Sequence, residues 1–358
     1  MTTSPLELIR AALRADIPVL LWGAPGTGKT AGLRALAVDE GAHLETLIGS
    51  TLDPIDVSGF LRATPGGVVQ DPPPWARRLR EALDRKQPAW LFLDELSCAP
   101  SAVQAALLRV VQERQVGDVS LMGCRVIAAA NPADFAADGG ILSAASANRF
   151  LHIEWNVDLN AWAAGELAGW GQRRTAAEAH ASARIVAFIR RHPSALLAPP
   201  DSTEARGRAW PSPRTWSAAA RLLAYAPTAM AEVAVAAAVG HAAAVEWAEW
   251  DRAASLPDPE DLLDGRAALP DRGDQLTAAL GAVVAAALSD HVQRDARIER
   301  AWQLLSAVRP DQALVAARAL IDATGVVPEI ARALGCRIIA ARNQVAAKVA
   351  EAEEAKES

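Results

Sequence analysis

The stretch Gly23-Ala-Pro-Gly-Thr-Gly-Lys29-Thr30 decides the fold of this chain, because it fits the phosphate-binding pattern G-x-x-x-x-G-K-[ST]. The apolar run Ile17–Trp22 comes before it and predicts a buried parallel strand. Thr27–Ala37 follows it and predicts a helix with Leu33 and Leu36 on its apolar side. The pattern therefore lies between a strand and a helix N-terminus, which sets it apart from a chance glycine-rich turn.

This loop predicts a nucleotide site in which backbone N–H groups surround phosphate oxygens and the helix dipole favours the anion. We expect Lys29 to reach the β- and γ-phosphates and the hydroxyl of Thr30 to bind Mg²⁺. The residues predicted to bind the nucleotide are Gly23, Ala24, Pro25, Gly26, Thr27, Gly28, Lys29, Thr30 and Ala31. ATP is favoured over GTP, because no guanine-specifying N-K-x-D-like segment follows in the sequence.

A second buried strand carries two acids where it ends, in Trp90-Leu-Phe-Leu-Asp94-Glu95. In nucleotide hydrolases with a P-loop, an acid at this place is the Walker B element that holds Mg²⁺. We expect Asp94 to hold Mg²⁺ through water and Glu95 to orient or deprotonate the attacking water. The alternative is an ordinary helix cap, which an Asp-Glu pair after a strand often forms.

Two polar residues further along the chain, Asn131 and Arg149, lie at the ends of predicted strands. Asn131 ends the apolar strand Arg125–Ala130, where its amide would position the attacking water or sense the γ-phosphate; Asn-Pro is otherwise a common turn. Arg149 precedes the strand Leu151–Trp155. It is either a plain surface charge or an arginine finger that reaches the γ-phosphate of a neighbouring subunit. Such a finger raises the rate of hydrolysis by about 10³- to 10⁵-fold.

The segment 49–74 lies between the strand His43–Ile48 and a helix predicted over 76–86. Its Pro65-Gly-Gly, between short apolar segments, predicts a hairpin turn. Two interpretations of the whole segment stay open: a surface excursion, or a substrate-facing loop inserted into the nucleotide-binding domain.

Size and composition limit the classes of function. A chain of 358 residues predicts two or three domains, and its net charge of −6 gives no strong field for nucleic acid or an anionic membrane. Three scattered cysteines are too few for a disulfide framework, which favours a reducing compartment. The first residues do not form a signal peptide, and the alanine-rich run Met230–Val245 is too short to span a bilayer. We therefore expect a cytoplasmic protein without membrane insertion.

Beyond Asn156 the strand patterns end and alanine-rich helical patterns take over. One long helix is predicted over Pro227–Trp250, and a further one over Pro328–Ala350. The Pro-, Asp- and Gly-rich segment Pro257–Arg272 predicts a linker. Arg214 opens another helix; there the dipole disfavours a cation, so it has either an anionic partner or an ordinary solvated charge.

Taken together, six segments resemble the MoxR-like AAA+ ATPases of the helix-2-insert clade. They occur in that family's order over roughly residues 4–225, and the Leu-Leu-x-x-x-Gln-Glu-Arg-Gln pattern of residues 107–115 is especially typical of it. The six segments are Gly23–Thr30, Phe92-Leu-Asp-Glu-Leu96, Gln104–Gln115, Ala130-Asn-Pro132, Asn148-Arg-Phe150 and Ser212-Pro-Arg214.

The resemblance implies an α/β fold: a P-loop AAA+ core with a parallel sheet flanked by helices, followed by an all-α lid and a helical C-terminal region. The implied domains are 1–156 for the core, with the helix-2 insert within about 49–74, 157–256 for the lid and 257–358 for the C-terminal region. It also implies sensor 1 at Asn131, an arginine finger at Arg149 and sensor 2 at Arg214. An arginine finger implies a homo-oligomeric ring, most often a hexamer.

The same resemblance implies a chaperone-like ATPase that works with a von Willebrand factor A-domain protein on a protein target, using ATP and Mg²⁺. The sequence departs from the family where Ala144 and Asn148 replace the usual acids before the arginine finger, and where Ser97 replaces a common Asn. Two other functions stay open: a nucleotide-gated switch or scaffold with little turnover, and a nucleic-acid motor. The net charge makes nucleic acid an unfavoured partner.

Overall fold

The computed structural model describes residues 5–132, 135, 142–172, 174–254, 256–289, 291–326 and 328–329. The chain divides into two compact units, Met1–Asn156 and Val157–Ser358. Strands occur in the first unit, and the described part of the second is helical. The predicted helix over Pro328–Ala350 lies almost wholly outside the described residues.

A five-stranded parallel sheet forms the centre of the first unit. The strand order is β2-β5-β8-β1-β9, and every neighbouring pair is parallel. The three central strands are almost wholly apolar, as expected of strands covered on both faces. The strands are β1 (Val19–Trp22), β2 (His43–Ile48), β5 (Ala89–Asp94), β8 (Arg125–Ala130) and β9 (Leu151–Glu154).

Helices cover both faces of this sheet. Alternate side chains of each strand join one of two hydrophobic clusters, so that Leu91 and Leu93 belong to one and Trp90 and Phe92 to the other. The first cluster includes residues of α4 (Pro74–Asp84) and α5 (Ser101–Glu113), and the second includes residues of α1 (Pro5–Arg14) and α2 (Lys29–Asp39). This layering confirms the predicted α/β fold.

In its described residues, the first unit also has two antiparallel hairpins and two short α-helices. The hairpin predicted at Pro65-Gly-Gly is confirmed, with β3 (Phe60–Thr64) paired to β4 (Gly67–Asp71). The second hairpin, which was not predicted, pairs β6 with β7. The remaining elements are α3 (Pro54–Ser58), β6 (Gln115–Val116), β7 (Val119–Ser120) and α6 (Ala144–Ala147).

The second unit is built from helices around one hydrophobic core. Its buried residues run from Trp162 to Leu320, and they include residues on both sides of position 256. The helices are α7 (Leu159–Ala168), α8 (Ala176–Arg191), α9 (Thr203–Arg206), α10 (Pro213–Tyr225), α11 (Ala231–Val239), α12 (His241–Ala253), α13 (Pro259–Leu263), α14 (Gly273–Leu288), α15 (Arg294–Ser306) and α16 (Pro310–Thr324).

Two expectations for the second unit were wrong. The single helix over Pro227–Trp250 is two helices, α11 and α12, separated by Gly240 with φ +86°. A Cβ at Gly240 would lie 2.7 Å from the carbonyl oxygen of Ala209, so this break needs glycine for space as well as for φ. The segment predicted to be a linker contains α13, whose Leu262 is fully buried in the core. No helix in the described part of the chain is long and apolar enough to span a membrane.

Candidate nucleotide site

The candidate site lies where the three central strands end. Gly23 follows β1, Asp94 is the last residue of β5, and Asn131 follows β8. Because β8 pairs with both β1 and β5 in parallel register, these three strand ends share one edge of the sheet. Open α/β sheets bind ligands at this carboxyl edge.

The loop between β1 and α2 owes its shape to glycine. Gly26 and Gly28 have φ of +79° and +89°, which side chains other than glycine rarely adopt. Gly28 also caps α2, so the first N–H groups of that helix face the loop without an intrahelical acceptor. The hydroxyl of Thr27 donates to the carbonyl oxygen of Ala24 at 2.7 Å and closes the loop. This arrangement suits an anion.

Lys29 has its ammonium group at the centre of the loop. The side chain is nearly buried, and its Nζ donates to the carbonyl oxygens of Gly23 at 2.6 Å and Ala24 at 3.1 Å. Nζ also donates to Oδ1 of Asn131 at 3.0 Å. The structure therefore brings together the predicted phosphate-binding lysine and the predicted sensor amide.

Thr30 and Asp94 meet directly. The hydroxyl of Thr30 donates to Oδ2 of Asp94 at 2.6 Å, and Oδ1 of Asp94 accepts the backbone N–H of Glu95 at 3.0 Å. A hydroxyl and a carboxylate at hydrogen-bond distance are the hard oxygen donors that Mg²⁺ uses beside phosphate. These two residues fit the predicted metal site.

Glu95 is held in a conformation that costs energy. Its φ of +54° lies in the left-handed region, although it is not glycine. Its carboxylate accepts a hydrogen bond from the hydroxyl of Ser50. Gly49, the residue before Ser50, packs so closely that a Cβ there would lie 2.9 Å from the carbonyl oxygen of Glu95. Neither the hydrogen bond of Ser50 nor the close packing of Gly49 against Glu95 was predicted. The sequence feature that indicates them is the Gly-Ser pair directly after β2, the strand that pairs with β5.

Arg149 lies away from this edge in its own chain. It precedes β9, whose first residue Leu151 pairs with Val19 at the start of β1, whereas Gly23 follows the end of β1. About 13 Å along the strands therefore separates the amino end of β9, near Arg149, from the carboxyl end of β1, near Gly23. The guanidinium donates from Nε to Oε1 of Gln112 at 2.9 Å and from a terminal nitrogen to the carbonyl oxygen of Ala145.

Arg214 belongs to the second unit, where it is the second residue of α10 and its side chain is exposed. Ser212 caps this helix by accepting a hydrogen bond from the N–H of Thr215, so the cap of the helix does not involve Arg214. Its predicted role as sensor 2 stays a prediction.

One contact of the loop was not predicted at all. Trp155, which follows β9, donates its indole N–H to the carbonyl oxygen of Thr27 at 3.2 Å. A Cβ at Gly32 would lie 2.5 Å from Cη2 of this indole, so Gly32 leaves space for it. Trp155 is the last residue of the predicted strand Leu151–Trp155, but nothing in its local sequence indicates a partner 128 residues earlier.

Comparisons with known proteins agree with this geometry. Residues 19–146 match the model of the family described as ATPase family associated with various cellular activities (AAA). Midasin of Giardia intestinalis is 28% identical over 165 residues, which are 43% of this chain and 3% of midasin. Proteasome-activating nucleotidase of Methanosarcina mazei is 29% identical over 162 residues, which are 42% of this chain and 35% of that protein. The chain thus spans about a third or less of the length of these relatives.

Among solved structures, the RuvB Holliday junction branch migration motor of Thermotoga maritima is similar with a TM-score of 0.36 and 17% identity. The match covers 77% of this chain and 79% of that one. The family match covers the strands β1, β2, β5 and β8 and the residues Gly23–Thr30, Asp94, Glu95 and Asn131. On the evidence of this match and of the parallel sheet, the segment 19–146 is similar to AAA ATPase domains.

Proposed function

We propose that this chain is an ATP-hydrolysing ring ATPase of the MoxR-like AAA+ clade, which remodels or activates a partner protein complex. The observation that carries the proposal is the hydrogen-bonded set at one sheet edge: Lys29 with Asn131, and Thr30 with Asp94. The proposed phosphate-binding loop lies there, together with the proposed metal-binding oxygens and the proposed sensor amide. The order of the family's motifs along the chain supports the clade.

Each residue of the set has a role in this proposal. Lys29 exchanges its contacts with the Gly23 and Ala24 carbonyl oxygens for the β- and γ-phosphate oxygens of ATP. Thr30 and Asp94 hold Mg²⁺, which supplies charge neutralisation on the phosphates when bound. Glu95 orients the attacking water and accepts its proton, and Asn131 contacts the γ-phosphate or that water.

The proposal includes a homo-oligomeric ring, which the position of Arg149 supports. Because its backbone lies at the sheet edge opposite Gly23, Arg149 completes the site of a neighbouring copy, most often in a hexamer. Gln112 and the Ala145 carbonyl hold the guanidinium in place for that contact. Arg214, in a lid over 157–256, acts as sensor 2 on its own nucleotide or a neighbour's.

The hairpin β3–β4 is the proposed contact with the protein target, as the substrate-facing interpretation of 49–74 expects. Phe60, Leu61 and Val68 are 58%, 76% and 69% exposed, an unusual concentration of exposed apolar side chains on one hairpin. A von Willebrand factor A-domain protein is the proposed partner, which rests on the family resemblance. The cytoplasm is the proposed compartment, which rests on the small number of scattered cysteines.

The test is ATP turnover of the purified chain with Mg²⁺ over a range of protein concentrations. We expect turnover per chain to rise steeply with concentration, Lys29→Ala to lose ATP binding, and Glu95→Gln to bind ATP without hydrolysing it. Arg109→Ala is the matched control, because Arg109 forms an exposed ion pair with Glu113 on α5, away from these contacts. A wild-type chain that neither retains nor hydrolyses Mg·ATP would refute the proposal.

A further inference from the structure

We infer that Trp155 is a positioning residue of the nucleotide site, which fixes the orientation of the Thr27–Gly28 peptide in the phosphate-binding loop. The inference rests on the proposed function, since it concerns how that loop binds phosphate. Its basis is the hydrogen bond from the Trp155 indole to the carbonyl oxygen of Thr27 at 3.2 Å.

A trans peptide unit points its C=O and its N–H in opposite directions. Because the Thr27 carbonyl oxygen accepts the hydrogen bond of the indole, the N–H of Gly28 points away from the indole. Gly28 has φ +89°, and a glycine at this place permits the peptide to rotate at little cost. A contact to the Thr27 carbonyl oxygen from outside the loop restricts this rotation, and Trp155 supplies one.

The indole is itself held by the first turns of α2. Gly32 lies directly against it: a Cβ there would be 2.5 Å from Cη2 and 2.7 Å from Cζ2 of Trp155. A methyl group at this position would displace the ring. The indole of Trp155 can therefore take this position only because residue 32 is a glycine.

The backbone of Trp155 fixes the other end of the loop. Its N–H donates to the carbonyl oxygen of Trp22 at 2.7 Å, directly before the loop begins. Its own carbonyl oxygen would lie 2.9 Å from a Cβ at Gly23. One residue after β9 therefore contacts both Gly23 and Thr27, and a change in its position moves the two ends of the loop together.

The test compares Trp155→Phe, which keeps an aromatic ring but removes the N–H donor, with Trp75→Phe. Trp75 also donates its indole N–H to a carbonyl oxygen, that of Asp56 at 2.8 Å, which lies outside the proposed nucleotide-binding residues 23–31. The two variants lose the same kind of bond within the same unit. A purely structural effect would therefore appear in both.

We expect Trp155→Phe to weaken Mg·ADP binding and raise KM for ATP by about 3- to 10-fold, the usual consequence of one lost hydrogen bond, with kcat nearly unchanged. Trp75→Phe leaves both constants at the wild-type values. Gly32→Ala raises KM like Trp155→Phe, and the double variant adds little to either, because both break one contact. Equal KM in Trp155→Phe and wild type, or equal increases in Trp155→Phe and Trp75→Phe, would overturn the inference.

Amide hydrogen exchange decides the inference even if the chain binds no nucleotide. Exchange in the peptide that contains residues 23–32 should be faster in Trp155→Phe than in wild type and in Trp75→Phe. Unchanged exchange in that peptide overturns the role of Trp155. Failure of the wild-type chain to bind Mg·ATP overturns only the proposed function.

Discussion

The hydroxyl of Thr30 and the carboxylate of Asp94 form a 2.6 Å hydrogen bond between residues 64 positions apart in the chain. Thr30 belongs to the first turn of α2 and Asp94 ends β5, with β8 between β5 and β1 in the sheet. The bond therefore links the helix that follows the phosphate-binding loop to the second strand away from β1.

The first prediction concerns the dependence of turnover on Mg²⁺. Asp94→Asn removes the negative charge but keeps an oxygen facing Thr30, so we expect the chain to fold and to need about 10- to 100-fold more Mg²⁺ for half-maximal ATP turnover. Titrating Mg²⁺ at saturating ATP measures this. Asp39→Asn, at an exposed position on α2, is the control. If the Mg²⁺ concentration at half-maximal turnover were unchanged in Asp94→Asn, Asp94 would not hold Mg²⁺.

The second prediction concerns the close packing of Gly49 against Glu95. In Gly49→Ala the new Cβ lies 2.9 Å from the carbonyl oxygen of Glu95 and 3.0 Å from Cβ of Ala99, so the backbone of Glu95 must shift. A small displacement of a catalytic group costs about 10²-fold in rate, and we expect kcat to fall by about that factor with ATP affinity retained.

Gly66→Ala is the matched control for this change. Gly66 lies in the β3–β4 turn, and a Cβ there meets no atom within 4 Å. Steady-state kinetics and nucleotide binding on the two variants decide the matter. If Gly49→Ala turned over ATP as fast as Gly66→Ala, the packing at Gly49 would have no bearing on Glu95.

The third prediction concerns the arginine between α6 and β9. Alone, Arg149→Ala should lower kcat by about 10³-fold or more, because the finger of the neighbouring copy is missing from every site. Lys29→Ala should be inactive because it cannot hold the triphosphate. Mixed together, the two variants should recover part of the wild-type turnover, since some interfaces pair an intact loop with an intact arginine. No recovery in the mixture, with both variants assembled, would contradict action between copies.

The fourth prediction concerns the pH dependence of the stability of the second unit. Burial, and then the positive charge of Arg184, lower the pKa of His180 below 6.5, although Asp258 and Asp251 act in the opposite direction. Below pH 6.5 the unfolded chain binds this proton before the folded chain does. The free energy of unfolding should therefore fall as the pH drops from about 6.5 through the folded pKa, by at most about 1.4 kcal/mol per pH unit from this one group.

Urea unfolding followed by tryptophan fluorescence at pH 7.5, 6.5 and 5.5 measures this dependence. His180→Leu should lose that part of the slope, because no proton is taken up at the position. His241→Leu, at an exposed position on α12, should keep it. Equal slopes in all three proteins would show that His180 does not couple protonation to folding.

Much of the candidate site could be predicted from sequence because its parts follow local rules. The Gly23–Thr30 pattern needs a strand before it and a helix after it, and Asp94 and Asn131 each follow a run of apolar residues. Parallel strands bring their carboxyl ends to one edge, so these residues were expected to meet. Lys29 does contact Asn131, 102 positions away, through such an edge.

The parts that could not be predicted depend on contacts between distant segments. Trp155 and Gly32 fit each other in space, but neither residue shows this in its own neighbourhood. Ser50 reaches Glu95 only because β2 and β5 are adjacent in the sheet. The alanine-rich sequence around Gly240 predicts one continuous helix, because a single glycine costs only about 1 kcal/mol in a helix. The carbonyl oxygen of Ala209, which leaves no room for a Cβ at position 240, belongs to a distant segment and is not visible in the local sequence.

The placement of Lys29 and Arg149 at opposite edges of one sheet has a genetic consequence for a chain that works in a ring. A copy that lacked both groups would inactivate two catalytic centres, its own through the damaged loop and its neighbour's through the absent cation. When such a doubly defective copy is co-expressed with the intact gene, the loss of activity should therefore exceed the fraction of mutant chains.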